Sequence, residues 1–338
     1  NAQQLETKLG ALNFNYTPNN KWRHSGFLIG SNSNNRLGSI SQRTYIRQTG
    51  DNQEALSSNS RVENTSGLLK YRTRFTPNSD LQLDYSAFFK ISDISNQNVQ
   101  QSEFTNFSND IATNSTQQPF SVQQQVQAFY APSATNVFSF QGSFEYKEQD
   151  PLFDLLTTQQ PFQSLIPIGD ASVFNLLQNK RVFSRKQESA LNYYKILNKT
   201  NHINFKVGNN FTTQNMVSTI SQRRPGSSDL NFSDPTLNND VGYTFSDLFV
   251  GVSYKTKLGK LTLSPSLNLH NYNFSNRQSG TEETIDKTLL LPSLNAKYDI
   301  RGSQSLSLNY GINAEFTDIQ NVATGLIIQN YNTLFQGN

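Results

Sequence analysis

Apolar and polar residues alternate along most of this chain. Leu81, Leu83, Tyr85, Ala87 and Phe89 share one parity, while Gln82, Asp84, Ser86 and Lys90 take most of the other. Successive side chains of a strand point to opposite faces, so the pattern predicts a strand with one greasy and one wet face. It recurs. Leu69, Tyr71, Thr73 and Phe75 alternate with Lys70, Arg72 and Arg74, and Phe138, Phe140, Gly142, Phe144 and Tyr146 with Ser139, Gln141, Ser143, Glu145 and Lys147. Ile203, Phe205 and Val207 oppose His202, Asn204 and Lys206. The most regular stretches are Leu248 to Tyr254, Leu261 to Leu269, and Leu294 to Tyr298 followed by Leu306, Leu308, Tyr310, Ile312, Ala314 and Phe316. Two stretches are less clear: parity is ambiguous near Trp22, between Leu12, Phe14 and Tyr16 and the pair Phe27 and Ile29, and Leu191 to Leu197 fits neither parity.

Turn chemistry divides these stretches into hairpins. Short turns are expected at Thr17-Pro18-Asn19-Asn20, Thr76-Pro77-Asn78-Ser79, Ala131-Pro132-Ser133-Ala134, Asn198-Lys199-Thr200-Asn201, Lys257-Leu258-Gly259-Lys260 and Ile300-Arg301-Gly302-Ser303, each rich in turn formers. They predict six hairpins and twelve strands. Between hairpins lie polar segments read as long loops: Ser31 to Ser60, Ser92 to Pro119, Glu148 to Arg185, Thr213 to Gly242 and Ser275 to Asp286. Loops of that length are unusual in a compact soluble domain, whereas an outer-membrane barrel has short turns at one end and long loops at the other. The expected fold is therefore an all-β, transmembrane, antiparallel up-and-down β-barrel, with lipid outside and water inside.

Finer expectations follow. Pairing Phe75 with Leu81 would set Arg72 directly across from Asp84 as a cross-strand ion pair. Pro265 and Pro292 stand inside strands, where a bulge or a missing ladder bond is expected at each. Tyr16, Phe75, Tyr130, Tyr254 and Tyr298, all close to short turns, are candidates for an interfacial aromatic girdle.

Composition removes several classes. Among 338 residues, 35% are hydrophobic, mean hydropathy is −0.59, and no apolar run approaches the ~20 residues of a transmembrane helix. A net charge of +3, from 28 basic and 25 acidic residues, is too weak to imply nucleic acid. Without cysteine there is no disulfide scaffold, thiol nucleophile or thiolate metal site. Asn1-Ala2-Gln3 opens no basic segment followed by an apolar core, so no signal peptide is expected within these residues, and the chain is read as part of something longer.

Three runs carry a resemblance: Leu9 to Asn19 with Trp22 and Ser25-Gly26-Phe27-Leu28-Ile29; Asn201 to Gly208; and Leu291 to Tyr298 with Leu334-Phe335-Gln336-Gly337-Asn338. They resemble the barrel region of TonB-dependent outer-membrane receptors, in the branch bearing an N-terminal carboxypeptidase-like regulatory domain. The resemblance implies a transporter of the Gram-negative outer membrane with a 22-stranded barrel, an N-terminal plug and a segment that docks TonB. On that footing residues 1–338 are part of one barrel domain, with the regulatory domain, the plug and further C-terminal strands outside them. Outer-membrane lipid, TonB, a transported solute and a surface lipoprotein are the implied partners.

Catalytic patterns are weak, and neither an enzyme nor a cofactor is expected. His24, His202 and His270 are far apart and lack metal-ligand spacing, which favours structural roles. Asp229, Asp234 and Asp240 could offer calcium hard oxygen ligands, although their spacing is not that of an EF-hand and a solvated loop is the plainer reading. Asn64-Thr65-Ser66 and Asn114-Ser115-Thr116 match the glycosylation pattern as any Asn-rich chain will.

Binding surfaces are better candidates. On the polar parity, the lumen-facing set is Lys70, Arg72, Arg74, Asp84, Lys90, Glu145, Lys147, Lys206, Lys255, Lys297 and Glu315, a mostly basic group that would favour anionic or hydrogen-bonding solutes, the alternative being that it meets a plug packed against the wall. The segment from Pro151 to Phe183, with Phe153, Phe162 and Phe174, is too apolar for a solvated loop; it either folds over the barrel mouth and buries these groups on neighbouring loops, or forms a lid or a docking face for a surface partner. Arg223 and Arg224, in Gln222 to Gly226, could meet an anion, the alternative being a solvated turn. Three functions remain: TonB-dependent import of a large nutrient such as a metal chelate, glycan or peptide; a passive porin or assembly barrel; and a soluble secreted β-sandwich binding protein.

Overall fold

The computed structural model describes residues 2–45, 52–105, 107–169, 171–224, 226, 228–278 and 280–337. Pro225, in the predicted Arg223–Arg224 turn, and Asn338, at the end of the third resembling run, lie outside them.

The strands are β1 (Ala2–Asn19), β2 (Trp22–Tyr45), β3 (Asn52–Phe75), β4 (Leu81–Phe104), β5 (Ser108–Gln117), β6 (Phe120–Ser133), β7 (Asn136–Gln149), β8 (Leu152–Thr157) and β9 (Phe174–Ile196). They continue as β10 (Asn201–Gln222), β11 (Leu230–Asn231), β12 (Asn238–Leu258), β13 (Leu261–Gln278), β14 (Thr281–Arg301) and β15 (Gln304–Gly311), followed by the helical turn α1 (Ile319–Val322) and the small hairpin β16 (Ile327–Asn330) and β17 (Thr333–Phe335). All pairings are antiparallel, and β1 to β15 form one meandering sheet.

Two of its staves are interrupted by proline. Strands β5 and β6 are one stave broken at Gln118 and Pro119, and β7 and β8 are one stave broken at Asp150 and Pro151. The pairing register with β4 and β9 is the same on both sides of each break. Proline has no N–H to give the ladder, but its carbonyl still accepts: Ser92 N donates to Pro119 O at 3.0 Å and Lys180 N to Pro151 O at 3.0 Å. Gln118 N turns instead to Asp150 Oδ1 at 2.8 Å, tying the two breaks together. With these pairs counted once and the two-residue β11 set aside, the described residues of the sheet form twelve staves, as the turn chemistry predicts.

Several expectations are corrected. The polar segments read as loops are largely strand: β2 and β3 are each 24 residues long and pair through Asn52 and Tyr45, because Asn, Ser and Thr satisfy a ladder without apolar side chains. Phe75 pairs with Leu83 rather than Leu81, so Asp84 faces Arg74 and Arg72 faces Ser86; the Pro77 turn is longer than a tight one, with Thr76 N donating to Lys21 O of the neighbouring hairpin. Neither Pro265 nor Pro292 shifts the β13–β14 register. At Pro265 the ladder to β12 lapses between Ser266 and Leu263 and resumes unchanged, the missing bond without the bulge. The last stave ends at Gly311, so Ile312, Ala314, Glu315 and Phe316 lie beyond it.

The apolar parity points away from any second layer. Leu83, Phe140, Val252 and Leu308 are 37%, 38%, 41% and 60% exposed, which removes the two-sheet sandwich, whose apolar faces would be buried against each other. Near the short turns this face carries rings: Trp22 stacks on Phe75 at 4.3 Å and Phe138 on Tyr193 at 4.8 Å, with Tyr16, Tyr130, Tyr254 and Tyr298 exposed beside them. His24 belongs here too, its Nδ1 2.9 Å from Tyr71 Oη.

The opposite face lines the cavities and is the inner one. Toward the long-strand end it carries two buried clusters. Ile111, Leu155, Leu176 and Ile220 from the wall meet Ile166, Ile168, Phe232, Leu237 and Ile328; Met216, Val241 and Tyr243 meet Ile319, Val322, Ala323 and Ile327. The chain after β15 thus folds back onto the inner wall.

Candidate functional site

The inner wall is organised in transverse rows fixed by register. One runs Asn15, Ser25, Arg72, Ser86, Gln125, Ser143, Glu188, Asn210, Asp247 across β1, β2, β3, β4, β6, β7, β9, β10 and β12. A neighbouring row runs Arg23, Arg74, Asp84, Gln127, Gln141, Ala190, Gly208, Phe249, His270. In these two rows the charge is cationic on β2 and β3, amides stand on β6 and β7, and single carboxylates stand at Glu188 on β9 and Asp247 on β12.

A cavity of about 460 Å³ opens on the amide-rich part, lined by Gln125, Gln127, Gln141, Glu188, Lys206 and His270 among others. Its groups are mutually braced. Ser143 Oγ donates to Glu188 Oε2 at 3.2 Å, and Lys206 Nζ stands 4.7 Å from the centre of the Phe249 ring. Buried Asp247 lies 2.8 Å from His270 Nδ1 and accepts from Asn210 Nδ2 at 2.9 Å. Phe249 can lie flat here because Gly208 opposite has no Cβ; one added there would meet the ring at 2.6 Å, as well as the Ser189 carbonyl. The arrangement offers many neutral donors and acceptors around one aromatic face, suited to holding a polar solute by hydrogen bonds.

The candidates Lys70, Arg72, Arg74, Asp84, Lys90, Glu145, Lys147, Lys206, Lys255 and Lys297, which lie within staves, share the cavity-bearing polar parity. Arg74 Nε donates to Asp84 Oδ1 at 2.6 Å, and Lys147 Nζ pairs with Glu145 Oε1 at 2.6 Å. Lys255 lines a separate, mostly apolar cavity of about 480 Å³ near the short turns, with Phe129, Val137, Tyr194, Ile196 and His202. Tyr194 and Ile196 there explain why Leu191 to Leu197 fits neither parity: both faces are apolar. The loop candidates are placed differently. Phe153, Phe162 and Phe174 pack on the upper inner cluster, Phe162 with φ 50°, and Arg223 Nη1 binds Asp154 Oδ2 at 2.8 Å. Asp234 caps a single 3-10 turn, accepting from Thr236 N and Oγ1, both at 2.8 Å; those bonds hold its carboxyl below the usual range. Among the described residues no group of three His, Asp or Glu is placed to hold a metal ion.

Residues that sequence reasoning left out are Arg23, Gln125, Gln127, Asn210 and Asp247. The run Gln123-Gln124-Gln125-Val126-Gln127 carried the signal for two of them, since three of its glutamines share the wet parity.

These features define an antiparallel up-and-down wall of the transmembrane β-barrel class. No protein-family model and no curated protein matches the sequence. Solved outer-membrane barrels resemble it in shape only. The ferric citrate transporter FecA in its unliganded form is 12% identical, covering 91% of this chain and 44% of that one at a TM-score of 0.48. The chain therefore spans less than half the length of that transporter. The ferric-catecholate import receptor Fiu from E. coli K12, in its open form, is 9% identical (89% and 67% covered, TM-score 0.30), and the translocator domain of the autotransporter NalP from Neisseria meningitidis 8% (87% and 82%, TM-score 0.26).

Proposed function

We propose that residues 1–338 form part of the wall of a nutrient-import barrel in the outer membrane of a Gram-negative bacterium, working through TonB. The carrying observation is the division of twelve staves into an exposed apolar face and a cavity-bearing polar face. A surface so divided fits hydrocarbon on one side and an aqueous passage on the other. Among the described residues β1 pairs only with β2 and β15 only with β14, and unpaired ladder edges do not stand in hydrocarbon; this supports further strands, as the resembling runs imply. The same runs support TonB coupling. The solute is a large, hydrogen-bonding one, held by the amides around Gln125, Gln141 and Asn268.

Uptake by cells carrying the full-length protein tests this reading. Accumulation of the solute is expected to cease when tonB is deleted and to persist when only the surface charge Lys199 is changed. Equal accumulation with and without tonB would instead identify a passive pore.

A further inference from the structure

Cations crowd one corner of the inner wall, and one carboxylate answers them. Register sets Arg23 directly opposite Arg74, Arg74 opposite Asp84, and Arg72 between Ser25 and Ser86. Lys70 lies one step along β3, between Phe27 and Phe88. Like charges directly across a ladder are destabilising, so the pairing of Arg23 with Arg74 is a cost the fold carries. Asp84 is already engaged by Arg74 Nε and by Gln82 Nε2, the latter at 2.5 Å. Among the described residues no side-chain hydrogen bond or ion pair holds Arg23, Lys70 or Arg72.

The corner is also hollow. Three cavities of about 270, 210 and 260 Å³ open there, and Arg72 lines all three. Asn13, Asn15, Thr17 and Ser25 line the same hollows from β1 and β2. Guanidinium forks match the oxygens of phosphate and carboxylate in paired, charge-assisted bonds. The hollows have the size of a small group, with neutral donors at their rim.

We propose that the hollow around Arg72 is a binding site for a phosphate-type oxyanion, free or carried on a larger solute, held by Arg23, Lys70 and Arg72 and opposed by Asp84. The proposal names a ligand class for the import reading above and rests on its aqueous inner face. Binding is measured without transport, so either can fail alone.

The test is calorimetric titration of the full-length, detergent-solubilised protein with inorganic phosphate and, separately, glucose 6-phosphate at low ionic strength. Saturable binding is expected, weakened at least tenfold by Arg72→Gln and by Arg23→Gln, tightened severalfold by Asp84→Asn, unchanged by Lys199→Gln, and reduced by added salt. Circular dichroism of each variant checks that the β-structure is retained. Tighter binding of the ester assigns the site to a phosphorylated solute, and equal binding assigns it to the free ion. Three results would overturn the proposal: no saturable binding of either probe, binding indifferent to Arg23 and Arg72, or capture of an acidic peptide where phosphate fails.

Discussion

The side chain of Gln178 in β9 clasps the backbone of Ile328, 150 residues later: Ile328 N donates to Gln178 Oε1 at 2.7 Å, and Gln178 Nε2 donates to Ile328 O at 3.2 Å. Both are buried. Around this clasp Leu326 N donates to Thr236 O at 2.7 Å, Gly325 N to Asn239 Oδ1 at 2.8 Å, and Tyr243 Oη to Thr317 O at 3.0 Å. The segment after β15 is therefore held by specific main-chain recognition as well as by its apolar side chains.

Replacing Gln178 with Leu should loosen that segment while leaving the wall intact. Two buried main-chain groups would lose their partner, at a cost of about 1–3 kcal/mol each. Hydrogen exchange should accelerate at Ile327 and Ile328 and stay slow in β9 and β10; uniform exchange across both regions would contradict the separation.

Charge on the outer face should be far more harmful than charge on the inner one. Val252→Arg is expected to destabilise folding into lipid vesicles by about 2–4 kcal/mol if it sits near the midplane. Ser253→Arg, its neighbour on the inner parity, should cost much less. Equal losses in equilibrium urea titrations would remove the assignment of faces.

Gly208 has a steric reason to be glycine. An alanine methyl would strike the Ser189 carbonyl, a backbone atom, and the Phe249 ring. Overpacking of this kind costs about 1–3 kcal/mol, so Gly208→Ala should lower the unfolding midpoint. Gly208→Ala combined with Phe249→Ala should recover only the part due to the ring.

Asp247 anchors two neighbours, and its removal should expose both. Asp247→Ala strands His270 Nδ1 and Asn210 Nδ2 on the inner wall, an expected loss of roughly 1–3 kcal/mol. Asp247→Asn, which can still accept from one of them, should lose less in the same denaturation series.

The alternation in Leu81 to Phe89 made stave direction and face legible, because lipid and water impose opposite demands on neighbouring side chains. Stave length was not legible. Beyond the bilayer both faces meet water, so Asn32 to Asn35 and Thr65 to Ser57 lose the period-2 signature while keeping their ladder. The register of Arg72 depended on a turn whose length the Pro77 motif does not specify. Rows such as Arg72 to Asp247 join residues over 170 positions apart in sequence, and pairing of that range leaves no local mark. The inward fold of residues 319–335 has no local signature in the sequence, because it is set by the partners that Ile327 and Ile328 find on β9, β10 and β12.

Staves of 24 residues are about 80 Å long, and a tilt near 45° would leave them roughly 55 Å tall against an apolar band of ~25 Å. Half of the wall then stands clear of the lipid as a hydrophilic turret. On the import reading proposed above, an arriving solute would meet that collar of Asn, Ser and Gln before the level of the acyl chains, so its first sorting would take place outside the membrane.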